Sequence, residues 1–176
     1  MAFATYEKSG RIATLTLNKP EARNAIGTQQ DCDDLAGALL RAHDDPEINA
    51  VILTGAGKAF CSGGDLKAIR ERTGIGPQSP PDATRANYRR AVQKIIRALA
   101  DVEVATIAAI NGPAIGLGMD IGILCDMRVA AQSAKLASSF VKVGIIPGDG
   151  GAWILTQAVG YSRAAEMILT GDQIDA

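Results

Sequence analysis

Apolar and polar positions along this chain follow two periods, and the order in which the periods alternate predicts the architecture. Near the N-terminus two short segments of mixed apolar and polar residues, Phe3 to Glu7 and Ile12 to Leu17, flank Lys8-Ser9-Gly10. That pattern predicts a two-stranded hairpin with Gly10 in its turn, ended by Asn18-Lys19-Pro20. Thr28 and Asp31 have capping-box spacing, and Cys32, Leu35, Ala36, Leu39 and Leu40 follow at helical i, i+3, i+4 intervals. The helix they predict stops near His43-Asp44-Asp45-Pro46. Ala50 to Thr54 reads as a buried strand, with Gly55-Ala56-Gly57 as the turn after it.

The pattern breaks between Thr73 and Asn87, where Gly74, Gly76, Pro77, Pro80 and Pro81 sit among polar residues. This predicts a mobile loop, either a lid or a plain surface excursion. Tyr88, Ala91, Val92, Ile95, Ile96 and Leu99 then form a helical stripe expected in the core. A strand (Ala105 to Ile110), a helix (Asp120 to Leu124) and a strand (Met127 to Ala131) follow. Two helices, Ala152 to Val159 and Ser162 to Leu169, join at Gly160. Alternation of β and α elements predicts an α/β fold whose sheet is mostly parallel, with helical crossovers. No internal sequence repeat is visible.

Composition narrows this picture. With 176 residues, 19 of them Gly and only 4% aromatic, the chain suits one α/β domain spanning residues 1–176 with tight strand-to-helix turns. A net charge of −1 without a run of like charge gives no basic face, so nucleic-acid binding is not expected. Cys32, Cys61 and Cys125 lack metal-ligand spacing, so no metal is expected, and an odd number of cysteines reads as reduced thiols. The start, MAFATYEKSG, has no signal-peptide pattern, and every apolar stretch is interrupted well short of a membrane span. A cytoplasmic protein without membrane association is expected.

The chemistry concentrates in two glycine-rich turns that each follow a strand. One is Ala59-Phe60-Cys61-Ser62-Gly63-Gly64-Asp65-Leu66; the other runs from Asn111 through Gly112, Gly116 and Gly118 to Asp120. A strand, a glycine turn and a helix start leave backbone N–H groups pointing outward, where they can hold an anion. Two such turns on neighbouring strands could each aim one N–H at a single oxygen, forming an oxyanion hole. Glycines needed only for tight packing are the alternative. A dinucleotide fingerprint does not fit, because Gly122 falls one residue too late after Gly116-x-Gly118. A P-loop is excluded because no glycine run ends in Gly-Lys-Ser/Thr.

Three ordered segments, AFCSGGDL, NGPAIGLGMD and GIIPGDGG, resemble the crotonase (enoyl-CoA hydratase/isomerase) superfamily. The resemblance implies a crotonase-like fold of repeated ββα units and acyl-CoA thioester substrates that pass through a thioester enolate. It implies no cofactor, since CoA arrives with the substrate, and a homotrimer or dimer of trimers. Carried onto this chain, the oxyanion donors are the amides of Ser62 and Leu117. Asp120 stands where hydratases of the family place their first catalytic glutamate, with helix capping as its bland alternative. Substrate contacts fall at Arg23, Ala25, Ala59, Gly63, Gly64, Asp65, Leu66, Lys67, Gly116 and Phe140. Among these, Asp65 fits a helix N-cap, and Arg23 and Lys67 are either contacts to the CoA phosphates or solvated surface residues.

One position departs from the family. Its second glutamate lies four residues before the glycine of the GxIPG-type loop, which here is Phe140. Hydration needs both a base for water and an acid for the α carbon, and phenylalanine is neither. Asp149, in Pro147-Gly148-Asp149-Gly150-Gly151, could supply the second carboxylate, or be an ordinary turn residue. A single carboxylate would instead suffice for isomerising a 3-enoyl to a 2-enoyl thioester. His43 is expected at a helix end, and Trp153 and Tyr161 in the core, with pocket lining as their alternative. The resemblance implies a C-terminal helical region that covers the acyl pocket and is largely absent here, so the chain is expected to be either a shortened member or a fragment. Two alternatives therefore stand beside the enzyme: a non-catalytic acyl-CoA-binding or structural subunit, and other crotonase chemistry such as thioester hydrolysis.

Overall fold

The computed structural model describes residues 2–78 and 80–176. In chain order its elements are β1 (Ala4–Ser9), β2 (Ile12–Leu17), α1 (Gln29–His43), β3 (Ala50–Gly55), α2 (Leu66–Glu71), α3 (Pro81–Arg90), α4 (Val92–Ala100) and β4 (Ala105–Ile110). β5 (Ala114–Ile115), α5 (Leu117–Leu124), β6 (Met127–Ala130), β7 (Lys135–Ala137), α6 (Gly151–Val159), α7 (Tyr161–Thr170) and β8 (Ile174–Asp175) complete it. One sheet has the order β1-β2-β3-β4-β6, and a small second sheet the order β5-β7-β8. Only the β1–β2 hairpin is antiparallel in the larger sheet; every later pairing there is parallel.

Parallel pairing follows from the helices between the strands, which carry the chain back to the same sheet end. On one face Ala13, Leu15 and Leu17 of β2, Val51 and Leu53 of β3, and Ala108 and Ile110 of β4 are buried. Against them pack α1, through Cys32, Leu35, Ala36 and Leu39, and α4, through Ile95 and Leu99. The capping box of α1 forms as spaced: Thr28 accepts from the Asp31 amide, and Asp31 accepts from the Thr28 amide. Parallel strands also end together, so the turns after β3 and β4 emerge side by side, and the site is built there.

Three expectations change. The segment expected as a loop from Thr73 to Asn87 turns helical at Pro81, because proline at a first helical position has its φ already set and lacks only an N–H that would be unpartnered anyway. Ser79 of that segment lies outside the described residues, and the part before it is tied down. Ile75 is buried, and Asn87 Nδ2 donates to the carbonyls of Gly74 and Gly76 at 2.9 and 3.2 Å. The expected continuous stripe from Tyr88 to Leu99 is interrupted at Ala91, whose φ and ψ are both −102°. Trp153 and Tyr161 are not core residues: they stand 68% and 79% exposed, on the outer faces of α6 and α7.

Candidate active site

Two asparagines hold the first glycine turn. Asn24 is fully buried in a left-handed conformation (φ 57°), and its Nδ2 donates to the carbonyls of Ala56, Ala59 and Phe60 at 3.0, 2.9 and 3.1 Å. Asn111, just past β4, donates through Nδ2 to the Gly55 carbonyl at 2.8 Å and accepts the Gly55 amide at 3.2 Å. The second turn docks on the first through backbone bonds: the Cys61 amide donates to Pro113 O at 3.2 Å, and the Ile115 amide to Cys61 O at 2.9 Å. Side chains are excluded at this contact. A Cβ on Gly118 would lie 2.2 Å from Cys61 O, and one on Gly63 would lie 2.4 Å from Ile115 O, with Gly63 also at φ 83°.

This docking decides which amides are free. The Ser62 amide donates to the Arg23 carbonyl at 3.0 Å, so the expected first oxyanion donor is already engaged. The Gly63 amide points to Cys61 Sγ at 3.4 Å. Among the described residues nothing accepts from the amides of Gly64 or of Leu117, the first residue of α5. A Cβ on Gly63 would lie 3.4 Å from the Leu117 nitrogen, which shows how near the turns come. Asp65 caps α2 as expected, accepting the Lys67 and Ala68 amides at 2.7 and 3.3 Å.

Gly64 and Leu117 both line a cavity of about 250 Å³, along with Ser62, Gly63 and Gly116. Its walls are apolar: Leu66, Ile69, Ile75, Val92, Val143 and Ile145. Phe140 belongs to the wall too, its ring 3.5 Å from where a Cβ on Gly116 would sit. The polar exceptions include Asp149 and Tyr88. The helical stripe predicts Tyr88 in the core; the break at Ala91 and the approach of Gly148 to its ring, 3.7 Å from a Cβ there, turn it to the site instead. Burial and the nearby charge of Asp149 push its phenol above the ordinary range.

The two candidate acids are unequal. Asp149 lies on the cavity wall, 5% exposed; its Oδ1 accepts the Gly151 amide at 3.1 Å, and its Oδ2 has no partner. Asp120 is 0% exposed and absent from the wall, and among the described residues neither of its oxygens has a protein donor. It does not cap a helix, because α5 starts three residues earlier than expected and Asp120 falls within its first turn. Its Oδ2 would lie 2.1 Å from a Cβ on Gly151, so it sits against the start of α6, next to Asp149. Burial and then the charge of Asp149 hold the Asp120 carboxyl well above the usual carboxylate range. Asp149 is raised by burial as well, offset by the Gly151 amide and by the neighbouring Asp120. Among the described residues no lysine, arginine or histidine pairs with either.

The remaining candidates lie off the cavity. Ala25 and Ala59 are buried beneath the turn, while Arg23 and Lys67 are exposed. His43 ends α1, where its Nδ1 accepts the Glu103 amide at 3.4 Å.

Two strand-end turns with open amides thus stand beside an apolar cavity that has the carboxyl of Asp149 in its wall. Residues 7–176 match the family model for enoyl-CoA hydratase/isomerase, and the chain belongs to that family. It is 38% identical over 170 residues to the Mycobacterium tuberculosis protein named "Probable enoyl-CoA hydratase echA8", covering 97% of this chain and 62% of that one. Its identity to the (E)-benzylidenesuccinyl-CoA hydratase of Thauera aromatica is 38% over 175 residues, covering 98% and 64%. The crystal structure of an enoyl-CoA hydratase from Bacillus anthracis superposes with a TM-score of 0.87 at 31% identity, over 99% of this chain and 65% of that one. The chain thus spans less than two thirds of these relatives.

Proposed function

We propose that the protein acts on acyl-CoA thioesters as an enoyl-CoA hydratase/isomerase, with the thioester oxygen held between the amides of Gly64 and Leu117. The observation that carries this reading is the pair of unpartnered amides at one end of an apolar cavity whose wall also bears Asp149. Negative charge develops on the thioester oxygen as the α C–H bond breaks. Fixed N–H donors aimed there are each worth a factor of roughly 10² to 10³ in rate. Gly64 replaces Ser62 in this role because the Arg23 carbonyl takes the Ser62 amide.

Asp149 is the group that faces the acyl chain, and the position of the family's second glutamate holds Phe140. A single facing carboxylate favours isomerisation. It removes the proton from C2 of a 3-enoyl thioester, the electron pair passing to the thioester oxygen. It then returns that proton to C4 as the pair comes back to make the C2–C3 double bond. Protons and electrons balance without a cofactor. Lys67, beside the cavity-lining Leu66, and Arg23 are our candidates for the CoA phosphates. The exposed Trp153, Tyr161 and Leu169 support a homotrimer or dimer of trimers. Among the described residues no helix is long and apolar enough to cross a membrane, and we assign the protein to the cytoplasm, with three unpaired cysteines in support.

Mass spectrometry of products from matched 2-enoyl- and 3-enoyl-CoA tests the reading. Conversion of 3-enoyl to 2-enoyl without a mass change is the expected result. Gain of one water by the 2-enoyl substrate would make the protein a hydratase. Binding of both without turnover would make it a non-catalytic acyl-CoA-binding subunit, and release of free CoA would make it a thioesterase.

A further inference from the structure

Asp120 is a buried carboxyl without a protein donor and without access to the cavity, and the function above gives it no task. Three oxygens in this corner lack donors: both of Asp120 and Oδ2 of Asp149. Two ionised carboxylates in contact, out of water and without a cation, would repel strongly. One hydrogen removes the repulsion and pairs two of the three oxygens, leaving one oxygen of Asp120 without a donor. An Asp120 carboxylic acid donates to Asp149, which stays ionised with its Oδ1 held by the Gly151 amide. Gly151 is what admits this arrangement, since a Cβ there would collide with Asp120 at 2.1 Å.

We propose that Asp120 is a positioning residue that never touches the substrate: it keeps one proton on the carboxyl pair, donates it to Asp149, and thereby sets the orientation and basicity of the carboxylate facing the acyl cavity. The inference rests on the proposed function for the reacting group, and on the side-chain packing alone for the shared proton. The groups facing the pair are few. Tyr88 comes from α3, Gln93 of α4 donates to the Gly148 carbonyl at 2.8 Å, and the start of α6 adds the Gly151 amide. Lys142, also on the cavity wall, is bonded to Asp172 at 3.1 Å, and α5 has no charged residue besides Asp120. Among the described residues nothing but Asp149 is therefore placed to take or give the Asp120 proton, and the two titrate as one unit.

Infrared spectra of the resting protein at neutral pH, in H2O and D2O, are the first arm of the test. A protonated-carboxyl C=O band that shifts in D2O, persists in Asp149→Asn and vanishes in Asp120→Asn is expected. A wild-type protein without that band overturns the proposal. Kinetics are the second arm. Asp120→Asn still donates a hydrogen bond but cannot ionise, so its kcat should fall by only about tenfold and its pH profile should lose the alkaline limb. Asp149→Asn should lose on the order of 10² to 10⁴. If Asp120→Asn falls as far as Asp149→Asn, or keeps the alkaline limb, Asp120 transfers the proton itself and the proposal is wrong. The band is read without substrate, so a wild type that shows it yet turns over no enoyl-CoA overturns the function and leaves the shared proton standing.

Discussion

Burial governs the reactivity of single residues here more than neighbouring charge does. Loss of hydration pushes the thiols of Cys32, Cys61 and Cys125 up to about 12. Thiolate is the reactive form, so at neutral pH a disulfide reagent should label none of the three in the native protein and all three after unfolding. Fast labelling of Cys61 in the native state would show that the turn around it opens. The carboxyl corner yields a prediction for stability. Asp120 and Asp149 are raised in the folded state, so from about pH 4 upward the unfolded chain releases protons that the native state retains. The unfolded state then binds fewer protons than the native one, and stability contributed by this pair is lost as pH rises through that window. Thermal unfolding measured from pH 4 to 7 should show the fall, and Asp120→Asn should flatten it. Residues of this kind are only half legible in a sequence. The glycine turn at 61–64 was readable, but which amide faces the cavity depends on a carbonyl at Arg23, far off in the chain. Asn24 carries no local signal for the same reason, since its value lies in three carbonyls more than thirty positions away.

At the scale of elements, the hairpin, α1 with its cap, β3, β4 and the α6–α7 pair were legible because each carries its own periodicity and its own end signals. α3 was not, because its prolines were read as loop formers whereas they begin a helix. What no local pattern could show is how closely the two glycine turns dock. Gly118→Ala tests that docking. The new Cβ would meet backbone, Cys61 O at 2.2 Å, and backbone cannot swing aside as a side chain can. The turns must separate, which moves the Leu117 amide away from the Gly64 amide. Loss of one donor predicts a fall in kcat of roughly 10² to 10³ with far-UV circular dichroism preserved. Full activity in this variant would mean that the two amides do not act on one oxygen.

Over the whole molecule, burial is uneven. The sheet and its α1–α4 layer enclose a continuous core, whereas α6, α7 and the loop before them expose Ile146, Trp153, Tyr161 and Leu169, each at least two-thirds exposed. Isolated apolar residues on a surface are ordinary; four large ones on two packed helices and the loop before them leave apolar area that water covers poorly. Association should therefore follow concentration, because burying the patch between chains removes that area from water while dilution opposes it. Trp153 is the single tryptophan, and it reports on this face directly. In dilute solution its emission should be that of a hydrated indole, open to acrylamide quenching. As concentration rises, the emission should shift to the blue, quenching should weaken, and the mass measured by light scattering should climb above that of one chain. Leu169→Glu should move this transition to higher concentration. A single-chain mass with unchanged emission across the whole range would show that the patch does not drive association, and would remove the support it lends to a trimer.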